Sequence, residues 1–207
     1  MNIQHTPIPM QRIIFTAIFA SFTTTAFAQV SFGIKAGPML SNVITQDYDT
    51  ISFDRPNSRF SYVLGAFAMI ELSEKLTLQP ELLYANKGTG AFDRSFGRPE
   101  GIHYLNLPIL LQYDLWRGLK VGVGPELGFL LNQDLPIVND FDLGINFGAS
   151  YMFSDRWLVD IRLNSGVTDV SDVELGGLFD PVTMEPVPIN PKTTNRSWQL
   201  TLGYRIK

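Results

Sequence analysis

From Ser31 to Lys207 the sequence alternates between apolar and polar side chains at every second residue, in eight separate segments. The last segment shows the pattern most clearly, because from Trp198 onwards every even-numbered residue is large and apolar and every odd-numbered residue is polar or glycine. A period of two is the period of a β-strand, so each segment predicts a strand with one apolar and one polar face. The pattern therefore predicts an all-β fold with eight strands.

The eight predicted strands are separated alternately by long polar loops and by very short turns. This alternation is typical of bacterial outer-membrane barrels, which have tight periplasmic turns and longer external loops. Each segment also exceeds the roughly 9–11 residues that a tilted strand needs to cross a membrane. We therefore predict an eight-stranded antiparallel up-and-down transmembrane β-barrel. Its predicted strands are Ser31–Asn42, Phe60–Leu72, Leu76–Gly88, His103–Leu115, Leu119–Asn132, Phe141–Phe153, Trp157–Val167 and Arg196–Lys207.

Alternation alone leaves open which face of the barrel is inside. A soluble lipocalin-like barrel would turn its apolar face inward and cover its exterior with lysine and glutamate. Here the polar face is rich in glycine and poor in lysine, which favours a crowded interior with paired charges. Aromatic side chains also occur near both ends of the predicted strands, as in the girdles at membrane interfaces. We expect the apolar face to contact lipid.

The first 28 residues predict a cleaved signal peptide. Arg12 is their only Lys or Arg, a short apolar run extends from Ile13 to Phe22, and Ala26-Phe27-Ala28 has the pattern of a signal peptidase site. The apolar run is shorter than the roughly 20 residues of a membrane-spanning helix. We therefore expect a signal peptide at residues 1–28 and one barrel domain at residues 29–207, exported to the bacterial outer membrane.

Composition argues against several classes of function. Without residues 1–28 there are 15 basic and 20 acidic residues, a formal net charge of −5 with no basic run, which argues against nucleic acid as a partner. Cysteine is absent and His103 is the only remaining histidine, so we expect no metal site and no cofactor. Outer-membrane enzymes need a histidine with a nearby Ser or Asp. His103 is predicted to face outward beside Leu105 without such a partner, so we expect no catalytic residue.

Short motifs occur in a consistent order along the predicted barrel. They begin with Phe32–Gly37, then Pro80–Tyr84 leading to Lys87-Gly88, and Tyr104–Tyr113, where an aromatic residue precedes a Leu-x-x-Pro-like run. Gly122–Glu126, Phe141–Gly144, Asp160–Leu163 and Leu202–Arg205 follow. In this order and spacing the chain resembles the small outer-membrane β-barrel family of Bacteroidota commonly labelled PorT-like. The resemblance implies an eight-stranded barrel in the outer membrane, and only the namesake branch is tied to type IX protein secretion.

The lumen of an eight-stranded barrel is just wide enough for side chains to fill it, which predicts a plugged interior. Charged residues on the polar face then need partners of opposite charge. Lys35 and Arg205 lie on the two strands that must pair to close the barrel. A proton or ion relay through the same residues is the alternative. The predicted lumen ion-pair network consists of Lys35, Glu71, Glu81, Glu126, Asp142, Asp160, Arg162 and Arg205.

Residues 168–195 form the longest predicted loop, which is acidic and rich in proline. A solvent-exposed loop is one interpretation. The other is docking, either to another envelope protein or, through divalent cations, to anionic lipid headgroups. The sequence leaves open whether Glu174–Phe179 and Val182–Ile189 form strands. The candidate docking residues are Asp169, Asp172, Glu174, Asp180 and Glu185.

We therefore expect a non-enzymatic, monomeric outer-membrane barrel in contact with lipid, serving as an envelope structural, adhesion or assembly component. The alternatives are an accessory subunit of a type IX-like secretion or uptake machine, an outer-membrane lipid-modifying enzyme, and a soluble periplasmic lipid-binding barrel.

Overall fold

The structure, a computed structural model, describes residues 30–45, 58–88, 102–132, 139–169, 175–179, 186–189 and 193–206. The predicted signal peptide lies outside the described residues. Within the described ranges no helix is long and apolar enough to cross a membrane.

The described residues form ten strands. These are β1 (Val30–Thr45), β2 (Arg59–Glu71), β3 (Leu76–Lys87), β4 (Ile102–Trp116), β5 (Leu119–Asn132), β6 (Phe141–Met152), β7 (Trp157–Gly166), β8 (Leu175–Phe179), β9 (Pro186–Ile189) and β10 (Thr193–Arg205). Eight of them close a barrel in the order β1-β10-β7-β6-β5-β4-β3-β2, and all neighbours are antiparallel. The predicted eight-stranded antiparallel barrel is confirmed.

The first and last strands close the barrel. Lys35 pairs with Gly203 and Leu40 with Trp198, so β1 and β10 run side by side along most of their length. The last strand begins at Thr193, three residues before the predicted start at Arg196, because Thr193–Asn195 continue the pairing with β1.

The tight connections all lie at one end of the barrel, the short-turn end; the opposite end is the long-loop end. The turn between β4 and β5 has only two residues, Arg117 and Gly118, with φ angles of 42° and 86°. Positive φ at both central residues is the type I′ pattern, whose twist matches that of the flanking strands. The β10 end lies at this end too, because the Arg205 N–H donates to the Arg156 carbonyl in the turn between β6 and β7. The β1 start lies beside it, because the Ile206 N–H donates to the Phe32 carbonyl.

The apolar phase of the strands lies on the outside of the barrel. Leu111, Val123, Ile145, Ile161 and Leu200 are each 40–50% exposed, although all are aliphatic. The alternate residues on the same strands point into the lumen and are mostly buried. A soluble barrel would have the reverse arrangement. The orientation is that of a barrel whose outer surface faces lipid.

Two Gly-Pro pairs, Gly37-Pro38 and Gly124-Pro125, lie inside barrel strands. Pro125 has no N–H to give to β4, and the ladder between β4 and β5 skips Ile109 and Pro125. The Ile109 carbonyl oxygen instead approaches Gly124, where it would be 1.9 Å from an added Cβ. Glycine is therefore required beside this proline, because any side chain would collide with backbone.

Strands β8 and β9 lie in the predicted acidic loop and form a two-stranded sheet of their own. Leu175 pairs with Ile189, Leu178 with Val187, and Phe179 with Pro186. The sequence left open whether these runs form strands. Within these runs, Leu175–Phe179 and Pro186–Ile189 form strands, and the two strands pair with each other in a sheet separate from the barrel sheet.

Candidate functional site: the barrel lumen

Four buried charged side chains meet in the lumen and form what we call the Glu81 cluster: Lys35, Glu81, Asp160 and Arg162. Each belongs to the inward-facing phase of its strand, and the cluster joins β3 to β1 and β7 across the lumen. Lys35 Nζ lies 3.0 Å from Glu81 Oε1 and 3.7 Å from an Asp160 oxygen. Arg162 donates to both Glu81 oxygens at 2.8 and 3.0 Å and to Asp160 at 3.0 Å.

The Glu81 cluster is electrically neutral, with two cations and two carboxylates. Their side chains are at most 3% exposed. A buried ion costs several kcal/mol unless partners of opposite charge and further hydrogen bonds replace its water. Glu81 meets this requirement, because Gln79 also donates to it at 2.6 Å. The fork-to-fork pairing with Arg162 additionally fixes the geometry of both side chains.

A second group, the Lys87 cluster, lies nearer the long-loop end and consists of Lys87, Glu126 and Asp142. Lys87 Nζ lies 3.1 Å from Glu126 and 3.4 Å from Asp142, and all three side chains are buried. Amide groups give each carboxylate a further hydrogen bond. Asn146 donates to Glu126 at 2.9 Å, and Asn195 donates to Asp142 at 2.9 Å.

Sequence reasoning placed Glu126 and Asp142 in the lumen but omitted Lys87, the cation between them. The sequence pattern did indicate a lumen position for Lys87, because this residue has the same strand phase as Gln79 and Glu81 and falls within the predicted third strand. The ammonium also lies 5.2 Å from the centre of the Tyr104 ring, a cation–π contact in the lumen. Among the described residues, the buried charges of the predicted network, together with Lys87, therefore form two separate clusters.

Two residues of the predicted network belong to neither cluster. Glu71 is exposed, at the last position of β2 next to a short turn. Arg205 donates from Nε and Nη2 to the Asp155 backbone carbonyl, in the turn between β6 and β7. Both side chains have the inward phase, but they lie at the barrel rim, where solvent competes for them. The structure therefore does not join Glu71 and Arg205 to the two buried clusters of the predicted network.

Apolar side chains fill the lumen at the short-turn end next to β1 and β10. Phe67, Met69 and Leu158 are 2–4% exposed and pack together. Phe67 occupies the space beside Gly33, where an added Cβ would be 2.3 Å from its ring. The described part of the lumen thus contains two ionic clusters and an apolar group.

His103 has a partner that the sequence did not reveal. It faces outward at the long-loop end, as predicted, and its Nδ1 lies 2.5 Å from the Tyr84 hydroxyl of the neighbouring strand. The two rings are 5.8 Å apart, and Tyr62 adds a third ring 6.1 Å from Tyr84. The group is a polar element of the aromatic girdle, and it supplies neither a hydroxyl nucleophile of the Ser type nor a carboxylate.

The docking residues predicted in the acidic loop are only partly visible. Asp169 is described, and its backbone carbonyl accepts a hydrogen bond from Asn139 at 2.9 Å. Asp172, Glu174, Asp180 and Glu185 lie outside the described residues. Within the described ranges no group of three or more His, Cys, Asp or Glu side chains is arranged to hold a metal ion.

The sequence matches the model of the family described as "Outer membrane protein beta-barrel domain" over residues 21–172, most of the chain. No curated protein matches it.

Solved structures share the barrel fold. The outer membrane protein OprG from Pseudomonas aeruginosa is 16% identical, with a TM-score of 0.51 over 85% of this chain and 95% of that one. Ail, the attachment invasion locus protein of Yersinia pestis, in complex with the heparin analogue sucrose octasulfate, is 12% identical, with a TM-score of 0.50 over 86% and 99% of the two chains. At these identities the likeness shows the fold.

Proposed function

This chain belongs to the outer membrane protein beta-barrel domain family and lies in the bacterial outer membrane, and we propose that it serves there as a non-enzymatic barrel with a plugged lumen. Its role is that of an envelope structural, adhesion or assembly component. We propose further that it is a PorT-like protein of Bacteroidota, exported by a signal peptide at residues 1–28 and monomeric in the membrane.

One observation carries the proposal: buried charged side chains cross the lumen at two levels. The Glu81 cluster connects β3 with β1 and β7, and the Lys87 cluster connects β3 with β5 and β6. A continuous aqueous path would have to separate these pairs, and removing one partner of a buried pair costs about 3–5 kcal/mol. A filled lumen supports a protein that acts through its surface and not through transport.

The geometry also supports a non-enzymatic role. His103 is the one histidine of the barrel domain, and its described hydrogen-bond partner is the Tyr84 hydroxyl on the lipid-facing side. A hydrolytic site needs a nucleophile or an acid–base pair in mutual contact. The outer wall is apolar and the lumen is filled, so specific recognition falls to the loops at the long-loop end.

Planar-bilayer conductance tests the plugged lumen. We expect the wild-type protein, inserted and checked by heat-modifiable migration on gels, to give no steady conductance. A variant with the Glu81→Ala, Arg162→Ala and Lys87→Ala substitutions removes side chains that cross the lumen at both levels, and we expect it to conduct. The matched control, Glu71→Ala with Arg156→Ala and Lys75→Ala, changes three exposed residues of the same charges and should stay silent. Reproducible single-channel steps from the wild-type protein would refute the proposal.

A further inference from the structure

His103 lies on the outer side of the barrel at the level of the lipid headgroups. Residues 103–113 of β4 number eleven, and a tilted strand needs roughly 9–11 residues to cross the hydrocarbon core. Tyr113, at the short-turn end of this stretch, is an exposed aromatic residue of the kind found at membrane interfaces. His103 therefore lies at the opposite interface. The outward residues between the two are all aliphatic: Leu105, Leu107, Ile109 and Leu111.

The hydrogen bond to Tyr84 determines which imidazole nitrogen of His103 is a donor towards the membrane. His103 Nδ1 lies 2.5 Å from the Tyr84 hydroxyl. A neutral imidazole has one N–H donor and one acceptor nitrogen, and the hydrogen bond of one nitrogen sets the state of the other. The phenol O–H is the stronger donor, so Nδ1 accepts and Nε2 carries the proton. A protonated imidazole carries a proton on Nε2 as well, so Nε2 is a donor in both states.

This Nε2 donor has no partner within the protein. Among the described residues, the Tyr84 hydroxyl is the one hydrogen-bond partner of His103. The rings of His103, Tyr84 and Tyr62 form a row with centres 5.8 and 6.1 Å apart, which restricts the orientation of the imidazole.

Asn86 places a second donor beside His103. The two residues are opposite each other in the ladder between β3 and β4 and share the outward phase. Side chains at such positions are about 5 Å apart at Cβ. Asn86 Oδ1 is buried and has no hydrogen-bond partner among the described residues, which leaves the amide nitrogen as the accessible end of the side chain.

Two neighbouring donors at the headgroup level indicate the chemistry of the ligand. The ligand must supply an acceptor, and the headgroup region of a phospholipid bilayer supplies phosphate oxygens. A hydrogen bond to an ionised acceptor is roughly twice as strong as one between neutral groups. The side chains that form this patch, Tyr62, Tyr84, Asn86 and His103, include no carboxylate that would repel an anion.

We propose that His103 Nε2, together with the Asn86 amide, binds a phosphate oxygen of a membrane lipid headgroup. Tyr84 is a positioning residue, because its hydroxyl keeps the proton of the imidazole on Nε2. The site lies on the outer wall, so the lipid reaches it by lateral diffusion within the leaflet at the long-loop end. This lipid contact goes beyond the proposed role of the protein and does not depend on the plugged lumen.

Solid-state NMR of the full-length protein in phosphatidylcholine vesicles tests the contact, with ¹⁵N-labelled histidine as the probe. Heat-modifiable migration on gels checks that each variant is folded. The sequence contains one other histidine, His5, so the His103 signals are those missing from His103→Phe. A hydrogen bond of about 2.9 Å from Nε2 to a phosphate oxygen brings the nitrogen close to phosphorus. We expect a protonated Nε2 whose signal is dephased by the lipid ³¹P, with a weaker effect at Nδ1.

Three substitutions separate the roles of the side chains. Tyr84→Phe keeps the ring but removes the hydroxyl that holds Nδ1 as an acceptor, so we expect both tautomers in the ¹⁵N spectrum and weaker dephasing at Nε2. Asn86→Leu removes the second donor and should also weaken the dephasing. Tyr113→Phe removes a tyrosine hydroxyl at the opposite interface and should leave the His103 signals unchanged.

Absence of dephasing at Nε2 in the wild-type protein, or an unprotonated Nε2, would overturn the proposal. Unchanged dephasing in Tyr84→Phe would overturn the positioning role, and unchanged dephasing in Asn86→Leu would overturn the second donor. Equal dephasing in micelles of a phosphorus-free detergent with inorganic phosphate would identify free phosphate as the ligand and overturn the lipid. Conductance of the same preparation reports on the plugged lumen separately, so failure of one proposal is distinguishable from failure of the other.

Discussion

Replacing Glu81 by glutamine is the sharpest test of the lumen. The substitution keeps the size of the side chain and one carbonyl oxygen, but it removes the negative charge that Lys35 and Arg162 share. Asp160 then remains as the only carboxylate in the cluster, and two buried cations compete for it. The Glu81 cluster changes from neutral to a net charge of +1 in a region that is at most 3% exposed.

The expected loss of stability follows from this imbalance. Removing one partner of a buried ion pair costs about 3–5 kcal/mol, because the remaining charge stays desolvated. The glutamine carbonyl can still accept one hydrogen bond from Arg162, so we expect a loss near the lower limit, about 3 kcal/mol. Glu71→Gln makes the same chemical change at an exposed position and should alter stability by less than about 0.5 kcal/mol.

The assay is equilibrium unfolding by urea in lipid vesicles, followed by tryptophan fluorescence and by heat-modifiable migration on gels. A double-mutant cycle that combines Glu81→Gln with Arg162→Met tests the electrostatic explanation more strictly. The combined variant leaves Lys35 facing Asp160, one charge of each sign. Its loss in free energy of unfolding should therefore be about 2 kcal/mol smaller than the sum of the two single losses. A loss below about 1 kcal/mol for Glu81→Gln, or strictly additive effects, would refute the electrostatic reasoning.

Three further predictions use the same unfolding assay. Lys87→Met removes the cation between two buried carboxylates and should cost about 3 kcal/mol; a loss within about 0.5 kcal/mol would contradict it. Gly124→Ala places a methyl group 1.9 Å from a backbone carbonyl oxygen and should prevent refolding, whereas Gly122→Ala meets the side-chain Cγ of Gln112 at 3.0 Å, which can shift by a few tenths of an ångström, and should refold; equal yields would be the contrary result. Arg117→Asn should stabilise the barrel by about 0.5–1 kcal/mol, because asparagine tolerates the left-handed conformation better, and a variant less stable than wild type would argue against that account of the turn.

The surfaces that serve membrane contact and internal packing indicate which part of the barrel remains for recognition. The outer wall is apolar, buried charged side chains cross the lumen at two levels, and the short-turn end consists of turns of a few residues. The long-loop end is what remains, and the β8–β9 sheet is the ordered element described within its longest loop. Experiments on the biological role should therefore change the loops and leave the strands intact.

Much of the fold could be predicted from the sequence because the strand period is a local property. The alternation indicated the number of barrel strands, their approximate limits and the face that meets lipid, and these agree with the structure to within a few residues. The same phase placed Lys35, Glu81, Asp160 and Arg162 in the lumen. Lys87 has the same inward phase, but the prediction overlooked it.

The contacts between side chains across the lumen could be identified only from the tertiary structure. Alternation gives the face of a side chain but not its height in the barrel, which follows from strand tilt and register. Register separates the Glu81 and Lys87 clusters, and it leaves Glu71 and Arg205 at the rim although their phase is the same. The pairing of β8 with β9 also depends on a register that the alternation does not contain. The sequence by itself determined an outer-membrane barrel with a polar lumen, and only the closed structure decided which charges share that lumen, because ion pairs depend on distances that a repeating pattern does not contain.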